Sequence, residues 1–334
     1  MKDLRYALQY LLAGVALAVL SAAAMPIALA AEPPAAEHSL PERDKMCTVC
    51  HNESWAKPIL SIYQTKHGVT ADARTPACQS CHGLSADHLK TPTNAPDVVY
   101  RGKKKSEASA QNTTCLGCHQ GDARTLWAGS KHQSEDLACA NCHTVHAAHD
   151  KVLTKATQPE VCFACHKTER AQTHRISTHP LAAGKIGCSD CHNPHGSVGP
   201  KLLLGNTVNE TCYTCHAEKR GPFLFDHPSA NDDCMNCHTP HGSTNAPLLK
   251  ARSPWLCQQC HSGTTPHPGN VYSANMLPGG AISNANVATT NVNPITGAPV
   301  TRNNPAAQLS YRGCPDCHSQ VHGSNHPAGQ YLLR

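Results

Sequence analysis

A fold of short helices and irregular loops, with little regular secondary structure and no side-chain core of ordinary size, is predicted by three features of this sequence. Its 334 residues include 20 Cys and 24 His, only 3 Phe, 3 Trp and 8 Tyr, and 25 Pro with 22 Gly. Large apolar side chains are too few to fill the one or two domains expected at this length. The 40% hydrophobic share is swollen by alanine and by the cysteines themselves. Pro and Gly at this frequency work against long helices and ordered sheet. Something other than side chains must fill the interior. The Cys and His usage points away from a cytosolic enzyme and toward disulfides, metal sites or a covalently attached cofactor. A formal charge of +5 is too mild for a nucleic-acid binder, and Lys103-Lys104-Lys105 is the longest basic run.

The N-terminus reads as an export signal. Lys2 and Arg5 precede an apolar stretch from Tyr10 to Leu20, which leads through Ala22, Ala23 and Ala24 to Pro26 and an Ala28-Leu29-Ala30 site. The apolar run to Ala31 is about long enough to span a bilayer as an uncleaved anchor. Pro26 and the small-residue site favour cleavage after Ala30, giving a signal peptide over 1–30 and a mature chain over 31–334. No later segment is long and apolar enough to cross lipid as a helix. Cleavage leaves Lys+Arg 26 against Asp+Glu 22 in the mature chain.

Read in order, the cysteines are Cys47 and Cys50, Cys78 and Cys81, Cys115 and Cys118, Cys139 and Cys142, Cys162 and Cys165, Cys188 and Cys191, Cys212 and Cys215, Cys234 and Cys237, Cys257 and Cys260, and Cys314 and Cys317. All are Cys-x-x-Cys, and none of the 20 is left over. The next residue is in turn His51, His82, His119, His143, His166, His192, His216, His238, His261 and His318. Every pair is therefore a c-type haem attachment motif. Two thiols add across the vinyl groups of one haem, and the adjoining imidazole is held under the iron. Zinc ribbons need two Cys pairs per metal and place no demand on the following residue. A disulfide scaffold predicts irregular spacings and again no obligatory histidine. The pattern predicts ten covalently bound haem c groups, with short helices and loops wrapped around an elongated chain of ten haems. The macrocycles then take the place of the missing core, and the haem-free chain is expected to be unfolded.

Fourteen histidines remain: His38, His67, His88, His132, His146, His149, His174, His179, His195, His227, His241, His267, His322 and His326. Ten are needed if every iron carries two imidazoles. Methionine cannot substitute widely, because after cleavage only Met46, Met235 and Met276 are left, the first beside Cys47 and the second inside a motif. The chain reads as five imperfect two-haem repeats, about 44–98, 112–153, 159–200, 209–247 and 254–334. Each runs motif, histidine, motif, histidine. The non-motif histidines are His67 and His88 in the first repeat, His132 and His146 in the second, His179 and His195 in the third, and His227 and His241 in the fourth. The fifth is stretched, with His267 and then His322 or His326. His38, His149, His174 and one of the last pair are surplus. His38 lies in a Pro/Ala-rich start, where a solvated side chain is the expected state.

His192 and His195 stand only three residues apart, as do His238 and His241. Three residues reach at most about 11 Å, too little to carry a second ligand round a macrocycle to its other face. The second histidine is therefore expected to serve a neighbouring haem, locking successive haems together. Through the middle of the chain successive motif histidines are 22 to 26 residues apart, too few for an independent domain at each site.

Two insertions interrupt the repeats. Residues 83–114 carry Lys103-Lys104-Lys105, read either as a solvated loop or as a face for an acidic or propionate-rich partner. Residues 268–313 are rich in Asn, Pro, Gly and Thr, with only Arg302 and Arg312 charged. A structureless stretch of that length is either disordered or an interaction surface.

Cys212-Tyr213-Thr214-Cys215-His216 followed by Ala217-Glu218-Lys219-Arg220-Gly221-Pro222, the His-Gly-Ser elements after Pro194 and Pro240, and the closing Cys317-His318-Ser319-Gln320-Val321-His322-Gly323-Ser324-Asn325-His326-Pro327 resemble the MtrA/MtoA/DmsE family of decahaem cytochromes. The resemblance runs from about Asp44 to Arg334. It implies an exported protein of the periplasm, embedded in or docked to an outer-membrane β-barrel porin. That protein would be an electron-transfer conduit linking periplasmic cytochromes to an outer-face multihaem cytochrome or iron mineral, in ferric reduction or ferrous oxidation. It also implies bis-histidine ligation at every iron, with distal roles for His67, His88, His132, His146, His179, His195, His227, His241 and His267. For the last site His322 is chosen, since its His-Gly-Ser context repeats that of His195 and His241. The 268–313 insertion looks larger than the family's usual segment. A soluble periplasmic shuttle or store is the alternative and a multihaem reductase the third reading. No variant attachment site marks one haem as catalytic, so no catalytic residue and no enzyme activity are expected, and no nucleic-acid partner.

Overall fold

The computed structural model describes residues 42–54, 59–69, 74–261 and 313–333. The 1–30 segment, His38, His267 and nearly all of the 268–313 insertion lie outside the described residues. The chain divides into two units, Met1–Lys45 and Met46–Arg334. Of the first, the described part is a single 3-10 turn, Glu42–Asp44, and Lys45. Everything that follows concerns the second.

Among the described residues the longest α-helix is Ala108–Leu116, nine residues, and the others have four to seven. Local sequence accounts for where they start and stop. Thr207 caps Val208–Tyr213 by accepting from the Glu210 N–H at 3.1 Å, while the Glu210 carboxylate accepts from the Asn206 N–H at 2.8 Å. Ser130 caps Lys131–Ser134 through the Gln133 N–H. Pro159 sits in the first turn of Gln158–Cys162, where its missing N–H costs nothing. Helices this short have no independent stability. The one two-stranded sheet among the described residues pairs β1 (Phe225–Asp226) with β2 (Gly323–Ser324) antiparallel, Phe225 opposite Ser324.

Among the described residues only Trp127, Ala138 and Pro159 are buried apolar side chains. Buried polar residues outnumber them and do structural work. The Asn112 amide donates to the Leu137 carbonyl at 3.0 Å and accepts from the Cys139 N–H at 2.8 Å. Asn209 does the same for the Asn231 carbonyl (2.9 Å) and the Cys234 N–H (2.8 Å). Gln158 accepts from the Ser189 N–H, and the Ser253 hydroxyl accepts from the Cys314 N–H. In each of four repeats, a side chain three or four residues before the first motif thus caps the start of the second.

Three His-Gly-Ser elements fasten one repeat to the one before it. Gly196 and Gly242 have φ of 124° and 152°, and a Cβ on either would overlap the carbonyl oxygen of Leu126 or Gln172 respectively. Only glycine tolerates both the conformation and the approach. Ser177 and Ser243 exchange backbone hydrogen bonds of 3.0 and 2.8 Å. The third element, His322-Gly323-Ser324, carries β2 and so docks on β1.

Candidate haem-binding site

Each attachment motif is one helical turn. The histidine N–H donates to the first cysteine's carbonyl in every motif from His51 to Cys47 at 2.9 Å through His318 to Cys314 at 2.9 Å, His82 being part of the Cys78–His82 helix. Positions i, i+3 and i+4 share a helix face, so both thiols and the imidazole of a motif emerge together. That is the physical content of the Cys-x-x-Cys-His spacing. All twenty cysteines are free of disulfides.

From the second motif onward, successive motifs abut in chain order, through alternating sulfurs. First cysteines meet inside a repeat: Cys115 with Cys139, Cys162 with Cys188, Cys212 with Cys234, and Cys257 with Cys314. Second cysteines interact across repeat boundaries: Cys81 with Cys118, Cys142 with Cys165, Cys191 with Cys215, and Cys237 with Cys260.

The histidines come in facing pairs, each joining a motif histidine to a non-motif one. His51 faces His88 with ring centres 6.0 Å apart, His119 faces His67 at 5.9 Å, and His82 faces His146 at 6.2 Å. His166 faces His132 at 6.2 Å, His143 faces His195 at 6.1 Å, and His216 faces His179 at 6.4 Å. His192 faces His241, His261 faces His227 and His238 faces His322, each at 6.1 Å. Nine motif histidines are thereby matched, and the tenth, His318, has its Nδ1 2.6 Å from the Tyr331 carbonyl.

The separation hardly varies while the angle between ring planes runs from 8° to 75°. Ring stacking would couple the two quantities. A shared metal would not: two metal–nitrogen bonds of about 2 Å, with about 1.1 Å from nitrogen to ring centre on each side, put facing imidazole centres about 6 Å apart. The donor chemistry fits as well. Nine Nδ1 atoms among the described residues lie 2.7–3.0 Å, or 2.6 Å for His318, from a backbone carbonyl, including His132 to Pro194, His179 to Pro240, His227 to Val321, His192 to Lys201 and His238 to Pro247. A carbonyl can only accept, so Nδ1 keeps the proton and Nε2 presents its lone pair. Burial, reinforced by the facing imidazole, holds His51, His67, His195 and His241 below the usual histidine range, which favours the neutral form a metal requires.

His326 is different. Its Nδ1 accepts from the Ala328 N–H at 3.0 Å, which leaves the proton on Nε2 and removes that atom as a ligand in the neutral ring. The two candidates at the C-terminus are thus separated by geometry, with His322 opposite His238. Surplus His149 and His174 face no motif histidine in the pairs above.

The pairing follows one rule. The mid-repeat histidines His67, His132, His179 and His227 face the first motif of the next repeat, and the trailing histidines His146, His195, His241 and His322 face the second motif of the repeat before. The first repeat closes on itself through His51 and His88. Sequence reasoning missed the fasteners: Asn112, Gln158, Asn209 and Ser253, and the carbonyls of Lys201, Pro247 and Tyr331. The first set stands three or four residues before a motif's first cysteine. The second precedes a Leu-Leu pair in each case, Leu202-Leu203, Leu248-Leu249 and Leu332-Leu333, with Leu202, Leu248 and Leu332 all at positive φ.

Helical-turn attachment motifs with facing imidazoles define a multihaem c-type cytochrome, an electron-transfer protein with covalently bound haem c. The chain is 42% identical over 298 residues to the multiheme cytochrome MtrA of Shewanella baltica (strain OS185), covering 88% of this chain and 82% of that one. It belongs to the MtrA family of multihaem cytochromes. The doubled CXXCH motif family matches residues 179–221 and 227–265, and the cytochrome c-type protein NrfB-like family matches 78–156. Over 120 residues, 30% of this chain and 50% of the relative, it is 36% identical to the cytochrome c-type protein NrfB of Haemophilus influenzae. A stretch of 162 residues, 48% of this chain and 28% of the relative, is 26% identical to the high-molecular-weight cytochrome c of Nitratidesulfovibrio vulgaris. No helix among the described residues is long and apolar enough to cross a membrane.

Proposed function

We propose that each of the ten motifs holds one haem c, with its own histidine on one side of the iron and a histidine from another segment on the other, and that the chain carries electrons across the outer membrane inside a porin sheath. The observation that carries this reading is the exchange of histidines between neighbouring repeats. Nine facing pairs account for nine motifs, and for the tenth the family resemblance assigns His267, which lies outside the described residues, to His318.

When bound, haem supplies a reversible one-electron couple, kept at lower potential by two imidazoles than by Met/His ligation. The chain does the rest. Thiols and imidazole of each motif leave one helix face, carbonyls fix the tautomer, and two facing protein imidazoles would hold the iron and leave substrate no place on it. Abutting motifs bring successive sites close enough for electrons to pass in file. Those are the requirements of a conduit between periplasmic cytochromes and an outer-face cytochrome or iron mineral, and the relation to MtrA over most of both chains favours it.

The test is reconstitution with a candidate β-barrel porin in liposomes enclosing a redox dye. The conduit predicts that an external oxidant or reductant changes the enclosed dye only when porin and cytochrome are both present, and the sign of the change reads the direction of flow. A cytochrome that stays entirely outside the porin as a soluble periplasmic monomer would instead be a shuttle or store, the reading toward which the NrfB-like segment leans. A high-spin haem that turns over a substrate would make it a reductase.

A further inference from the structure

Nine of the ten histidine Nδ1 atoms that donate within hydrogen-bond distance, among the described residues, donate to carbonyls. The tenth does not. His143, of the Cys139–Cys142 motif, donates to the Asp150 carboxylate at 2.7 Å, with the two side chains 32% and 15% exposed. Other carboxylates approach motif histidines only loosely, Glu169 at 3.7 Å from His166 and Glu218 at 3.8 Å from His216, and the latter is well exposed. Asp150 is aimed by its own backbone, since its other oxygen accepts from the Val152 N–H at 3.4 Å at the start of the Lys151–Leu153 turn. The adjacent Lys151 pairs with Glu160 at 3.2 Å, and Arg101 donates to the Ala140 and His143 carbonyls and the Thr144 hydroxyl. Across the pair, His195 has a buried Nδ1 with no hydrogen-bond partner, and its ring is within 9° of parallel to that of His143. The asymmetry at this site is therefore set by Asp150.

We propose that Asp150 is a positioning and tuning residue that makes His143 the most electron-donating axial ligand in the file and lowers the potential of the fourth haem below its carbonyl-held neighbours. This rests on the reading that each motif holds a bis-histidine haem. A hydrogen bond to a carboxylate is charge-assisted and raises the basicity of the imidazole it holds. A more basic ligand stabilises the ferric state, one electron poorer than the ferrous, and hydrogen bonding around the ligands is a recognised control of haem potential. No proton need move: Nδ1 keeps its hydrogen in both oxidation states. In chain order the fourth site separates three haems from six, so it would be the last of its neighbours to accept an electron.

The test compares wild-type holoprotein with Asp150→Asn and Asp150→Ala. Haem content by pyridine haemochromogen comes first: fewer than ten haems in the wild type would defeat the ten-site reading itself, independently of Asp150. Spectroelectrochemical titration then reads the tuning. The neutral Asn keeps one acceptor oxygen, enough for Nδ1 once the long 3.4 Å bond to the Val152 N–H is given up, so a role confined to holding the ring predicts curves that overlay the wild type. The proposal predicts that in Asp150→Asn, with all haems retained and low-spin, about one tenth of the haem absorbance shifts to higher potential by at least a tenfold change in its oxidised-to-reduced ratio, about 59 mV for one electron. Overlaying curves for Asp150→Asn, or a shift confined to Asp150→Ala, would overturn it.

Discussion

His238 and His322 are separated by most of the last two repeats, yet their rings face each other 6.1 Å apart with planes 8° from parallel. The loop that delivers His322 is held from the other side by His227, whose Nδ1 donates to the Val321 carbonyl at 2.7 Å. One repeat thus both receives a facing histidine from its successor and fixes the backbone that supplies it. His132 with Pro194 and His195, and His179 with Pro240 and His241, repeat the arrangement.

Replacing His322 with Ala is expected to leave one haem high-spin, whereas His326→Ala leaves the count of low-spin haems unchanged. Electron paramagnetic resonance of the oxidised variants reads the difference, with equal high-spin signals in both as the contrary result. The distinction follows from the protonated Nε2 of His326.

Gly196→Ala and Gly242→Ala are each expected to destabilise the holoprotein by about 1–3 kcal/mol, from the positive φ and the overlap with the Leu126 or Gln172 carbonyl. Because each glycine follows a trailing histidine, a high-spin signal from the haem facing His195 or His241 should accompany the loss. Thermal denaturation followed in the Soret band measures the first effect and paramagnetic resonance the second.

The twenty cysteines and the motif histidines were legible because their chemistry imposes a fixed local spacing. That His195 and His241 turn away from their own motif histidines was legible too, since three residues cannot round a macrocycle. Which site each one faces was not, because the answer depends on how Gly196 packs on Leu126 and Gly242 on Gln172, contacts some seventy residues apart. Asn112 and Asn209 were invisible for a different reason. A buried amide that caps a distant helix start looks, in sequence, like any polar loop residue.

Asn209→Ala removes three bonds from a buried amide and leaves the Cys234 N–H without its partner. A loss of about 1–3 kcal/mol is expected. Haem content should be unchanged, so a lower thermal midpoint at full haem loading is the predicted outcome, and an unaltered midpoint would count against the capping role.

With so few buried apolar side chains, the chain expressed without haem attachment is expected to show the circular dichroism of an unfolded polypeptide and rapid proteolysis. A compact, protease-resistant apoprotein would mean that the side chains alone suffice.

On the proposed reading every attachment motif carries a haem whose iron is held by two histidines, supplied for the most part by neighbouring repeats. Quantitative paramagnetic resonance of the fully oxidised holoprotein, on a sample whose mass gives the haem number, tests it most directly. Ten low-spin ferric haems per chain and no high-spin signal are expected, with rhombic spectra from near-parallel pairs such as His143 and His195 and large-anisotropy signals from the steeply crossed pair His166 and His132. A stoichiometric high-spin haem, or fewer than ten haems by mass, would contradict it.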